Sequence, residues 1–188
     1  MFTVAKKVGF DQIVQQKMEQ RAEKTGQQLS PEQRAQGMKI GVAITKGIFM
    51  VAPLFSLVFA VVISFLLWLG MNFVLGGTAH YTRLFTLAIY AGLPRLLMLV
   101  VAIVSIWFGN NDSFYIENPA GTNIGYYLSA DAPKWMTTLG TSLDVTMIWM
   151  VALLALGGAI LAKVKVRNSM ILVFATWLVL IVVKALLA

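Results

Sequence analysis

Long apolar runs dominate the hydrophobic pattern from residue 47 onwards. The run from Gly47 to Thr78 contains no charged residue, and it exceeds the roughly 20 residues that a helix needs to cross about 30 Å of hydrocarbon. Three further runs follow, and the predicted spans cover residues 47–76, 84–109, 142–162 and 168–187. The runs do not alternate polar and apolar residues as barrel strands do, so the pattern predicts four transmembrane helices.

Short connections separate the spans in pairs. Residues 76–83 join the first two spans, and residues 163–167 join the last two. Because such tight links turn the chain back on itself, we predict an all-α membrane helical bundle of two antiparallel hairpins. The connection at 110–142 is longer. Within it, Pro133 opens a predicted interfacial helix and Gly140 ends it.

A charged N-terminal arm at residues 1–46 precedes the membrane domain at 47–188. The first half of the arm places four apolar residues on one helical face, namely Phe10, Ile13, Val14 and Met18. This spacing predicts an amphipathic helix. Two alternatives are open for its apolar face, which either lies on the membrane or a partner, or packs on its own bundle.

A capping box follows in the second half of the arm, at Ser30-Pro31-Glu32-Gln33. The serine and glutamine are spaced to satisfy each other's backbone N–H, and proline suits the first helical position. The box therefore predicts a helix start. The helix that it starts can run unbroken into the first span, which predicts an unusually long helix.

The composition of the chain limits the classes of function that we expect. Hydrophobic residues make up 59% of the chain and charged residues 12%, against about 45–50% and about 25% in soluble domains. There is no cysteine, and the single histidine, His80, lies in a loop, so we expect no metal site. No catalytic motif or acid–base carboxylate pair is present, so we expect neither an enzyme nor a cofactor. The cations flank the predicted spans and do not form the basic surface that a nucleic acid binds, so we expect no nucleic-acid partner.

Charge in the short loops predicts an orientation. His80 and Arg83 lie at one hairpin tip, and Lys163, Lys165 and Arg167 lie at the other. The positive-inside rule places both tips in the cytoplasm, with the long connection and the arm outside. The eight cations of the arm argue for the opposite placement of the arm.

Arg95 is the residue of the predicted spans whose placement in the bilayer costs the most free energy. A charge at that depth usually faces the bundle interior and marks a functional site. The neighbouring Pro94 removes one backbone donor and frees the carbonyl of Tyr90. Together these residues predict a kink with an anion or lipid-headgroup site, and the alternative is an arginine that snorkels.

Asp144 and Lys184 form a second predicted constellation. Each lies about twenty residues from the tip of the second hairpin, so antiparallel packing puts them at similar depth. We predict a partly buried ion pair, which more often specifies packing than chemistry.

Four short motifs follow one another in the second half of the chain. They are residues 90–94, a loop motif with Asn118, Pro119, Asn123 and Gly125, residues 139–144, and the end from Trp177 to Lys184. Their order resembles the bacterial branch of the YIP (Ypt/Rab-interacting protein) domain family, over roughly residues 1–188. Members of the family usually have five transmembrane helices, so the resemblance implies that this chain lacks the first one, which would leave the arm outside the cytoplasm.

The resemblance also implies a role. It points to a non-enzymatic scaffold or accessory subunit in the bacterial cytoplasmic (inner) membrane, in contact with lipid and with other integral membrane proteins or a second copy. A MacB-type ABC exporter is the partner that bacterial relatives suggest. The alternative, from the residues themselves, is a small transporter, channel or lipid-handling protein centred on Arg95.

Overall fold

A computed structural model describes residues 9–25, 30–108, 121–129 and 131–187. Its helices are α1 (Phe10–Thr25), α2 (Pro31–Leu69), α3 (Tyr81–Ala91), α4 (Pro94–Phe108), α5 (Lys134–Ser142), α6 (Val145–Ala162) and α7 (Val166–Leu186). A π-helical turn at Gly70–Val74 continues α2, and a 3₁₀ turn at Ile124–Tyr127 precedes α5.

Four stretches are long and apolar enough to cross a membrane: Pro31–Val74, Tyr81–Val101, Val145–Ala162 and Val166–Leu186. This confirms the predicted all-α class and its four spans. The second span differs from the prediction because it consists of two helices, α3 and α4, rather than one.

The chain divides into two compact units. One draws on the described residues within 1–56 and 102–119, and the other on those within 57–101 and 120–188. The division falls inside α2, which passes residue 46 without a break. The predicted boundary between an arm and a membrane domain stays a prediction.

In the first unit, the apolar face of α1 packs on α2. Ile13 and Val14 are buried, and the side chain of Val14 lies so close to Gly41 that a Cβ there would clash with it. The rings of Phe10 and Phe49 meet edge to face, with centroids 5.6 Å apart. Of the two alternatives for this amphipathic face, the structure shows packing within the chain.

Helix α2 starts at the predicted capping box. The backbone N–H of Ser30 donates to Oε1 of Gln33 at 3.0 Å, and the backbone N–H of Gln33 donates to Oγ of Ser30 at 3.3 Å. The helix then runs for 39 residues to Leu69, which confirms the predicted long helix. Only Ser64 and Leu67 are buried along its length.

In the second unit, α6 packs against both α3 and α7. Its small residues are buried and allow this close approach: Ala155, Gly158, Ala159 and Ala162. Oγ of Ser169 on α7 donates to the carbonyl of Ala155 at 2.6 Å. The side chain of Met71, which is fully buried, fills the space beside Gly158.

The tip of the first hairpin is held by the side-chain amide of Asn72. Its Nδ2 donates to the carbonyl of Ala79 at 2.9 Å, and its Oδ1 accepts from the N–H of Ala79 at 2.8 Å. The N–H of Thr78 donates to the carbonyl of Ala162 at the end of α6. The hairpin tip therefore lies beside the turn between α6 and α7, where Lys163 adopts a left-handed conformation with φ of 57°.

We expect Asn72→Ala to lower the free energy of unfolding by about 2 kcal/mol, because it leaves both backbone groups of Ala79 without their partner. Thermal unfolding in detergent measures this. Thr176→Ala is the matched control, since that hydroxyl bonds only within its own helix and is exposed. Equal unfolding temperatures for the two variants would show that the Asn72 pair contributes nothing.

Candidate functional site

The chain turns at the residues where a proline kink was predicted. Helix α3 ends at Ala91, and α4 begins at Pro94. The N–H of Leu93 donates to the carbonyl of Tyr90 at 3.1 Å. The prediction of a freed Tyr90 carbonyl is therefore wrong: the chain starts a new helix at the proline, and the turn itself supplies the missing donor.

Arg95 lies on the outer face of α4. It is exposed, whereas Pro94 beside it is buried. Successive residues of a helix point about 100° apart, so a proline that faces inward turns the next side chain away. The prediction that Arg95 faces the bundle interior is wrong. A long side chain in this position can extend its guanidinium toward the membrane interface.

Two sequence motifs that lie about twenty residues apart meet in the second unit. Asn123 and Asp144 form an isolated antiparallel bridge, and the N–H of Val145 donates to the carbonyl of Thr122 at 3.1 Å. Oδ1 of Asn123 accepts from the N–H of Tyr126 and so starts the 3₁₀ turn. We call this contact between residues 121–126 and 139–146 the motif junction.

The motif junction depends on two glycines in direct contact. A Cβ at Gly140 would lie 2.8 Å from the backbone nitrogen of Gly125, and a Cβ at Gly125 would lie 2.6 Å from the backbone nitrogen of Thr141. The prediction that Gly140 ends the interfacial helix is wrong, because α5 continues to Ser142. The glycine is there because two backbones approach each other.

Asp144 begins α6 from the centre of the motif junction. The residue is buried, and its carboxylate accepts hydrogen bonds from the hydroxyls of Thr122 and Thr146 and from the backbone N–H groups of Thr146 and Met147. This is N-capping: a short carboxylate satisfies the free donors of the first helical turn.

The predicted ion pair between Asp144 and Lys184 is wrong. Lys184 is exposed in the last turn of α7, and the partners of the carboxylate are the donors at the start of its own helix and Thr122. Hydrogen bonds from nearby N–H and hydroxyl groups to the short aspartate side chain do not require a long lysine side chain to lose conformational entropy. N-capping is therefore favoured over the salt bridge.

The family model of the Yip1 domain matches residues 22–187. The chain belongs to the Yip1 domain family. No curated protein and no solved structure matches the chain significantly. The matched range includes the whole motif junction. The contact between the two sequence motifs therefore lies within the Yip1 domain. Asn118 and Pro119 of the loop motif lie outside the described residues.

In this Yip1-domain protein, Asp144 lies just ahead of the third span. Burial raises the pKa of its carboxyl, but the hydrogen bonds from Thr122, Thr146 and Met147 outweigh burial, so the pKa lies below its ordinary value. The carboxylate is therefore ionised at neutral pH, and its ionised form stabilises the fold.

We expect this stabilisation to depend on pH. Because the folded-state pKa is lowered, the contribution is complete above the ordinary value of about 3.9 for an aspartate, and it is lost as the pH falls through the folded-state pKa. The unfolding temperature of the wild-type protein should therefore fall more steeply below about pH 3.9 than that of Asp144→Asn. Parallel pH profiles for the two proteins would contradict the assignment.

Sequence reasoning missed several polar partners inside the Yip1 domain. Oγ of Ser64 donates to the carbonyl of Val61 and lies 3.1 Å from the hydroxyl of Tyr81. Ser169 and Thr122 make the contacts described above. The available signal was a small polar residue inside an apolar run, because such a residue must find a partner within the protein.

The chemistry of the motif junction is structural. Within the described ranges, no three His, Asp or Glu side chains lie close enough together to hold a metal ion. The Asp144 oxygens are occupied by donors of the protein itself. The junction therefore fixes the 3₁₀ turn against the start of α6.

Proposed function

We propose that this Yip1-domain protein is a non-enzymatic scaffold or accessory subunit that binds other integral membrane proteins. The observation that carries the proposal is the uncovered surface of α2. Two of its 39 residues are buried, whereas seven of the 18 residues of α6 are buried. A helix with so little contact to its own protein is available to neighbours in the membrane.

The length of α2 adds to this argument. At about 1.5 Å per residue, 39 residues extend to nearly 60 Å, about twice the thickness of the hydrocarbon core. The first turns, with Glu32, Arg34 and Lys39, are polar and exposed. Helix α2 therefore offers apolar residues to a partner inside the bilayer and polar residues to a partner in water.

The buried polar residues favour a scaffold over a transporter. In the described part of the chain they are Ser64, Asn123, Asp144 and Ser169. Three of them bond to nearby groups of the protein and hold helix ends or helix contacts, and Asn123 caps the 3₁₀ turn. Arg95, the centre of the transporter alternative, is exposed on α4. A substrate path needs polar groups that face a shared channel.

The partner that we propose is a MacB-type ABC exporter in the bacterial cytoplasmic membrane. Support for this partner and this membrane comes from the likeness to bacterial members of the family, and is an analogy between family members. Native purification in mild detergent tests it. We expect an ABC exporter to be recovered in stoichiometric amount with the full chain.

Two matched variants locate the binding surface. Ile48 on α2 and Ile171 on α7 are both exposed, at 59% and 63%. Ile48→Trp adds bulk to the proposed interface and should remove most of the recovered partner, whereas Ile171→Trp should leave recovery unchanged. Recovery of the chain alone as a monomer would argue against the proposal. Substrate flux in vesicles that Arg95→Ala abolishes would support the transporter alternative.

A further inference from the structure

A groove runs between α3 and α6 on the outer surface of the second unit. It has a volume of about 420 Å³. The side chain of Leu87 occupies the space where a Cβ at Gly157 would lie, so close packing of Leu87 on this glycine forms the floor of the groove. The walls are mostly apolar and include Ile160 and Tyr90.

The two helices that form the groove are antiparallel. The hairpin tip before α3 is bonded to Ala162 at the end of α6, so Arg83 in the first turn of α3 lies at the same membrane end as Leu161. Arg83 lines the groove there, while Tyr90 lies about 10 Å further along the helix. The groove therefore has a cation at its interfacial end and an apolar body that extends into the span.

The charge around this end is of one sign. Lys163, Lys165 and Arg167 follow directly after α6, and all three are exposed. The sequence has no acidic residue between residues 47 and 111, nor between residues 145 and 188. The charged side chains that α3, α6 and the turn after α6 contribute at this end are therefore positive, which favours an anionic headgroup.

We propose that this groove binds an anionic phospholipid, with one acyl chain between α3 and α6 and the phosphate at Arg83. The apolar walls match an acyl chain, and the guanidinium matches phosphate oxygens in charge and geometry. A transmembrane helix is about 10 Å wide, which is too wide for the space between two helices in contact, whereas a single acyl chain is not.

Native mass spectrometry of the full chain in detergent tests the site. The probes are phosphatidylglycerol and phosphatidylcholine with identical acyl chains. A cation near the membrane surface favours an anionic lipid by about fivefold, so we expect at least that preference for phosphatidylglycerol. Equal retention of the two lipids would overturn the proposal.

Three variants distinguish binding of the lipid in the groove from a general attraction of anionic lipid to nearby basic residues. Arg83→Gln should reduce retained phosphatidylglycerol about fivefold, to the level of phosphatidylcholine. Arg167→Gln removes a cation at the same membrane end without touching the groove, and should have little effect. Thr86→Trp, which fills the exposed groove wall, should displace both lipids. An Arg167→Gln loss as large as that of Arg83→Gln, or full retention in Thr86→Trp, would overturn the assignment.

Discussion

Asp144→Ala is expected to lower the free energy of unfolding by about 3 kcal/mol. The substitution removes the acceptor for two hydroxyls and two backbone N–H groups at the buried start of α6. It also detaches Thr122, and with it the loop half of the motif junction. Chemical or thermal unfolding in detergent, followed by circular dichroism, measures the loss.

Lys184→Ala is the control for this prediction. An ion pair would make the two substitutions equally harmful, whereas capping makes only Asp144 important. Lys184 is exposed, so its replacement should change the free energy of unfolding by no more than about 0.5 kcal/mol. A comparable loss in both variants would restore the ion pair and exclude the capping account.

Gly140→Ala should destabilise the protein by about 3 kcal/mol, because the new methyl group meets backbone rather than a movable side chain. The Cβ would lie 2.8 Å from the nitrogen and 2.9 Å from the Cα of Gly125. The 3₁₀ turn must then move away from α5. The unfolding temperature and the yield of folded protein in detergent report the effect.

Gly47→Ala provides the matched comparison. Nothing lies within 4 Å of a Cβ at that position, and alanine in a helix interior is favoured over glycine by about 0.5–1 kcal/mol. This variant should therefore be neutral or slightly more stable. If Gly140→Ala behaved like Gly47→Ala, the close contact of the two backbones would be disproved.

The features that the sequence predicted correctly are those determined by neighbouring residues or by the thickness of the bilayer. The four spans follow from the length of the apolar runs. The start of α2 follows from Ser30 and Gln33, whose partners are three residues apart.

The errors concern polar contacts, a close backbone approach and a local turn, none of which the hydrophobic pattern determines. The partner of Asp144 was inferred from depth in the membrane, but depth does not distinguish a lysine from the donors of the adjoining helix. Gly140 was interpreted as a helix stop, because glycine at a helix end and glycine at a close contact look alike in sequence. Arg95 points outward because the turn before Pro94 ends one helix and starts another. The direction of its side chain therefore cannot be extrapolated from the residues of α3.

The π-helical turn at Gly70–Val74 imposes a constraint on segment length. Its i to i+5 bond, from the N–H of Leu75 to the carbonyl of Gly70, encloses one residue more than an α-turn does. Deletion of one residue would restore a regular helix but rotate the following side chains by about 100°. Asn72 would lose its alignment with Ala79, so insertions and deletions here should be tolerated less well than substitutions.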